Sequence, residues 1–243
     1  MKIFRNPEKA ARREARHRRL REKSQRPLVG FRRRLKAWAW LIVNDAGIFR
    51  LFYRNRHRVD ERMWRSAQPA PPDVAWAAHN GIRTIVWLRG DRELGAFALE
   101  KDACERAGIR LVSLPLWSRS APTREMIHDA AALFGSIDYP ALMHCKSGAD
   151  RAGLASALYL MLARGRPASE AIGQLSARFG HIRSSRTGVL DLMLERYIAE
   201  GEAKGIPFLD WVDSPAFDPA AFKAAHKPTL WSDVLVERIL RRE

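Results

Sequence analysis

Residues 141–160, ALMHCKSGADRAGLASALYL, concentrate the side chains best suited to chemistry in this sequence. An apolar run ends at His144, a loop containing Gly148 follows, and a helical pattern opens at Arg151. Such a loop wraps successive backbone N–H groups around a point that the positive end of the helix also faces, which makes it an anion site. A cysteine at its start, Cys145, would be held as a thiolate, the nucleophilic form, by those dipoles and by Arg151. Arg151 also presents a planar fork able to make two charge-assisted hydrogen bonds to the oxygens of one anion, which a lysine does not reproduce. The expected cradle is Lys146, Ser147, Gly148 and Ala149, closed by Arg151.

The elements that must position this loop can be read from hydrophobic patterning. Residues 84–88 (TIVWL) and 109–114 (IRLVSL) read as short buried strands, separated by a helical pattern over 95–107. Thr123 caps a helix running to about residue 136, and Pro140 introduces a third strand over 141–144. Strand, helix, strand, helix, strand, loop, helix is the order of an α/β fold with a central, mostly parallel sheet flanked by helices. Segments 151–163, 168–177 and 187–200 carry helical periodicity, so the C-terminal half is expected to be mostly helical. The last thirty residues, with Pro207, Pro215, Pro219 and Pro228, read as an extended segment wrapping the domain, followed by a terminal helix.

The chain has 243 residues and a net charge of +16, which raises the question of a nucleic-acid or membrane partner. The charge is not spread evenly. Residues 1–36 hold 15 Lys and Arg against 3 Glu, and the remainder carries a net charge of only +4. The expected organisation is a basic tail over 1–36, helical or disordered, and an amphipathic segment over 37–58. A domain over 59–205 and a C-terminal extension over 206–243 complete it. The tryptophans and arginines of the amphipathic segment suit either a helix packed outside the domain or an interfacial helix on an anionic membrane. Its apolar run, residues 37–43, is far shorter than the roughly 20 residues needed to span a bilayer, and it lacks the features of a secretory leader. Nucleic-acid binding is disfavoured, since the first 30 residues place no aromatic side chains in a reading pattern among their charges. The two cysteines, Cys104 and Cys145, make no disulfide framework and no zinc-ligand spacing, which fits a reducing, cytoplasmic setting with peripheral contact at the inner membrane face left open.

His144-Cys145, five residues and Arg151 resemble the His-Cys-x5-Arg signature of cysteine-dependent phosphatases. RSAQP at residues 65–69, GIRTIVWLRG at 81–90 and SRSAP at 118–122 extend the similarity to the bacterial dual-specificity-like group, over roughly residues 59–200. The resemblance implies a phosphatase-like fold and a two-step reaction in which Cys145 attacks phosphorus, a phosphocysteine forms, and water releases phosphate. It calls for no metal or cofactor. Loop N–H groups and Arg151 would stabilise the transferring phosphoryl, while His144 would hold the loop rather than react.

Two departures from the family pattern stand out. The aspartate usually found after the preceding strand is absent from PLWSRSAP at 115–122, so Asp150 is expected either as the general acid or as a loop-stabilising carboxylate paired to a nearby arginine. Ala152 stands where relatives have Ser or Thr, so phosphocysteine breakdown is expected to be slow unless Ser147 substitutes. Arg119 fits either a second phosphate contact or a solvated charge; Arg65 and Arg89 fit domain-shaping salt bridges better than substrate contact. Gln174 and His181 read as core or capping residues rather than groups orienting water. The leading function is a phosphatase of phosphate monoesters of the protein-tyrosine or dual-specificity type. A lipid or inositol phosphatase, such as one acting on phosphatidylglycerophosphate, and a non-catalytic phosphate reader are the alternatives, with a sulfurtransferase behind them because its loops lack this signature.

Overall fold

The structure, a computed structural model, describes residues 53–90 and 94–229, together with Gly30 and Leu35. The basic tail and most of the amphipathic segment lie outside the described residues. Among those described, no helix is long and apolar enough to cross a membrane.

Five strands form one sheet: β1 (His57–Arg58), β2 (Met63–Ser66), β3 (Thr84–Trp87), β4 (Arg110–Ser113) and β5 (Ala141–His144), in the order β1-β2-β5-β3-β4. The last four run parallel, and β1 pairs antiparallel with β2 at one edge. The expected α/β architecture is therefore present. The central strand is β5, and its last residue, His144, is in register with Ser66 of β2 and Trp87 of β3. Three strand ends thus converge where the candidate loop begins, as parallel sheets place their sites.

Side chains alternate across these strands. Ile85 and Leu142 face α1 (Pro71–His79) and α2 (Leu94–Ala107), where they pack with Val74, Ala77 and Cys104. Val86, Met63 and Met143 face the other layer, which holds α3 (Arg124–Ser136) and α4 (Asp150–Arg164). Thr123 caps α3 as expected, its hydroxyl accepting from the Met126 amide at 3.3 Å. Helix α4 is buried almost all round, because Ala152, Gly153, Ala155, Ser156 and Ala157 let neighbouring chain approach it closely. A Cβ on Gly153 would come within 2.8 Å of the Gln174 carbonyl oxygen. Burying Leu154 and Leu158 on the same helix contributes on the order of 1.5–3 kcal/mol each.

The structure departs from the expected elements in three places. The helix expected over 168–177 is α5 (Ala168–Ala171) followed by single 3-10 turns. The helix expected from Thr187 begins as a 3-10 turn and becomes α6 (Val189–Glu200). The chain after 205, expected to be extended, forms α7 (Phe208–Asp213) and α8 (Pro219–Ala225). Pro207 and Pro219 stand at helix starts, where a missing N–H costs nothing. Phe208, Trp211 and Val212, at helical spacing, enter the same core as α4, and Trp211 stacks on Phe222 at 6.1 Å. Arg124 at the start of α3 fixes this segment by donating to the carbonyls of Val212, Ser214 and Phe217 at 2.7, 2.6 and 2.9 Å.

Candidate active site

The loop from Cys145 to Ala149 is held from outside by its own carbonyl groups. The Gln68 amide donates to Lys146 O at 3.3 Å, and Asn55 Nδ2 donates to Ser147 O at 2.9 Å. Arg65 Nη2 donates to Gly148 O at 2.8 Å and to Ala149 O at 2.9 Å. With four consecutive carbonyls engaged outward, the intervening N–H groups turn toward the loop's interior. Among the described residues the amides of Ser147, Gly148 and Ala149 donate to no backbone carbonyl. This is the nest that binds anions in folded proteins. Gly148 lets the loop close against β2: its φ is +75°, and a Cβ there would sit 2.6 Å from the Ala67 nitrogen.

Cys145 and His144 are buried where the strand ends. Alternation sends His144 toward α2, where its Nε2 lies 2.7 Å from Glu100 Oε1, a close polar contact off the axis of a hydrogen bond. Its ring meets Trp87 edge-on at 5.3 Å, and Nδ1 lies 3.4 Å from the Cys145 carbonyl oxygen. Glu100 is held in turn by Gln68 Nε2 at 3.2 Å, and Arg89 donates to Gln68 Oε1. Cys104, on the next turn of α2, is a buried thiol pushed up by burial and by Glu100 and Glu105, which agrees with its reading as a core residue.

Arg65, read from the sequence as a domain-shaping residue, spans the back of the loop. Besides its two bonds to the loop, Nη1 donates to Gln174 O at 2.7 Å and to Gln174 Oε1 at 2.9 Å, with the guanidinium over Phe179 at 4.1 Å. Burial lowers its pKa to about 10, against the attraction of Cys145 and Asp150. Gln174 is thus a support for Arg65. Arg151, in the first turn of α4, has a buried Nε with no hydrogen-bond partner among the described residues. A guanidinium nitrogen left this way beside a nest of free amides suits an anionic ligand.

Asp150 is buried, and its Oδ1 lies 2.6 Å from His181 Nδ1; His181 Nε2 lies 2.6 Å from Asp191 Oδ2. The expected arginine partner is therefore a histidine. Lys146 and Ser147 are partly exposed, and Arg119 is partly exposed on the segment between β4 and α3. Ala152 is buried in the first turn of α4. Asn55, Gln68, Glu100 and Asp191 were not singled out from the sequence, since each acts through a partner more than thirty positions or a fold element away. Among the described residues no group of three or more His, Cys, Asp or Glu side chains could hold a metal ion.

The chain is similar in sequence to known phosphatases. Dual specificity protein phosphatase TpbA of Pseudomonas aeruginosa strain UCBPP-PA14 is 28% identical over 128 residues, 52% of this chain and 53% of that protein. The chain thus spans about half the length of the curated relatives it matches. The crystal structure of P. aeruginosa TpbA is 22% identical, with a TM-score of 0.46 over 65% of this chain and 89% of that one. A putative phosphatase from Neisseria meningitidis is 29% identical, with a TM-score of 0.44 over 55% and 94%. Residues 53–187, more than half of the chain, match the family described as DSP-PTPase phosphatase fused to NAD+ kinase, and the protein belongs to that family.

Proposed function

We propose that this protein hydrolyses phosphate monoesters through a phosphocysteine on Cys145, as a phosphatase of the protein-tyrosine or dual-specificity type. The observation that carries this reading is the loop whose four carbonyls are engaged while the amides of Ser147, Gly148 and Ala149 have no backbone acceptor among the described residues. Three phosphoryl oxygens need donors of this kind, and Arg151 adds two more in a fork. Attack by the Cys145 sulfur would form the S–P bond as the ester oxygen departs, and water would then break that bond to give inorganic phosphate. Lys146, Ser147, Gly148 and Ala149 line the phosphate cradle in this reading. Arg119 is assigned an outer contact, and His144 holds the nucleophile's backbone.

Asp150, expected to protonate the leaving group, is assigned a supporting role instead. Its carboxylate is buried and its Oδ1 is taken up by His181 Nδ1 at 2.6 Å, so it is turned to the protein rather than to a leaving group. Substrates with stable leaving groups, such as aryl phosphates and phosphotyrosine, would then be favoured over alkyl phosphates. The catalytic unit, taken from the sequence as 59–205, would extend back to Asn55 and forward to α8, because both ends supply parts of the loop's support or of the shared core.

Phosphate release from a phosphotyrosine peptide, phosphatidylglycerophosphate and a phosphoinositide, with Cys145→Ser as control, tests this function. Release from the peptide that is lost in Cys145→Ser is expected. Preferential release from a lipid would move the assignment to a lipid phosphatase, and no Cys145-dependent release from any of the three would leave a phosphate-binding module.

A further inference from the structure

One buried cluster remains without a role in the chemistry described so far. His181 lies in the turn before α6 with its side chain fully buried, between Asp150 on α4 and Asp191 on α6. Each ring nitrogen is 2.6 Å from a carboxylate oxygen, so a proton on both nitrogens satisfies both contacts and leaves the ring positively charged. Burial lowers the His181 pKa, but the bonds and charges of Asp150 and Asp191 outweigh it and raise the group to about 9.

The position of Asp150 gives the cluster leverage. It is the first residue of α4 and Arg151 is the second, and successive residues of an α-helix are separated by about 100° around its axis. Pinning Asp150 inward therefore fixes the direction in which Arg151 leaves the helix. Charge works the same way. An uncompensated carboxylate at this end of the loop would repel an incoming oxyanion, and the positive ring cancels it.

We propose that His181 and Asp191 are positioning residues that act through Asp150. The charged His181 ring, held from behind by Asp191, ties Asp150 into the protein, aims Arg151 at the loop and removes the Asp150 charge from the anion's surroundings. This inference rests on the phosphatase reading of the loop. The charged groups around the ring are Asp150, Asp191 and, across Asp150, Arg65 of β2, which also faces Cys145. Although burial lowers Arg65 to about 10, it stays charged where His181 loses its proton.

The test is the pH profile of kcat/KM, which reports groups of the free enzyme. An aryl phosphate is the substrate, since its leaving group needs no proton and adds no general-acid limb. Tungstate affinity, followed over the same pH range, reads the anion site without turnover. In the wild type both quantities are expected to fall above about pH 9 as His181 deprotonates. In Asp191→Asn, with one carboxylate neutralised, the limb should move to lower pH by about one unit. In His181→Gln it should vanish, with kcat/KM at neutral pH lower by about tenfold or more. Should His181→Gln fail to fold, Asp191→Asn and the ring 15N resonances of wild-type His181 decide the matter, the resonances being expected to titrate near 9. Turnover by the wild type with an unmoved alkaline limb in Asp191→Asn would overturn the positioning role alone. A tungstate limb that moves as expected in a protein that turns over no phosphate ester would uphold that role and overturn the phosphatase reading.

Discussion

The two ends of the candidate loop are each anchored by a buried histidine against carboxylate, and the two anchors are built differently. At the entrance, His144 meets one carboxylate, Glu100, and rests on Trp87. At the exit, His181 meets two, Asp150 and Asp191. Glu100 is also held by the Gln68 side-chain amide. Two carboxylates on one ring require it to carry its charge, and the raised His181 pKa follows from that arrangement. The entrance is therefore held mainly by packing and by the bond from Gln68 to Glu100, and the exit mainly by electrostatics. Arg65 holds the loop from behind through the carbonyls of Gly148 and Ala149, next to the exit.

The largest expected effect comes from breaking what the two anchors have in common. Gly148→Ala places a Cβ against the Ser66–Ala67 backbone at a positive φ and is expected to cost about 2–5 kcal/mol in denaturant unfolding, with loss of tungstate binding.

The exit anchor should then reveal itself through pH. Because the folded-state pKa of His181 is raised, the folded protein holds a proton that the unfolded chain releases above about pH 6.5. The associated stability is fully present below that pH, declines as pH rises, and is lost above about 9. It amounts to about 3 kcal/mol. Urea unfolding at a series of pH values checks this, and Asp191→Asn should narrow the window.

A smaller effect is expected from Asn55→Gly. This change keeps the positive φ of 42° and removes the side-chain amide that donates to Ser147 O and Phe179 O and meets His57 Nε2, at about 1–2 kcal/mol in thermal or urea unfolding. The smallest should come from Glu100→Gln at the entrance, about 1 kcal/mol, since an oxygen remains for Gln68. Its alkaline stability window should match the wild type. A shifted window in Glu100→Gln would show that the two anchors are coupled.

Much of this site was legible in the sequence, because its signals are local. The strand-loop-helix around Cys145, the Gly148 turn, the Thr123 cap and strands β3 and β5 each follow from neighbouring residues. What escaped depends on distance along the chain. Strand β2 is four residues of mixed character, MWRS, and its alternation is too short to stand out. The task of Arg65 is fixed by carbonyls 83 and 84 residues away, so composition suggested only a salt bridge. Asp150 was noticed for its place beside Arg151, while its partner His181 comes from a turn after α5 that no periodicity predicts. In the C-terminal chain the prolines suggested extension, and the aromatic spacing of Phe208, Trp211 and Val212 was the stronger signal.

Rapid acid quench of the wild-type protein during turnover of an aryl phosphate, followed by mass spectrometry of the peptide containing Cys145, tests the central claim most directly. Ala152 supplies no hydroxyl to assist release, so the phosphoenzyme should accumulate. The expected result is a phosphoryl group on Cys145 in the wild type, with neither phosphoenzyme nor phosphate release in Cys145→Ser. Phosphate release that proceeds undiminished in Cys145→Ser would contradict the account.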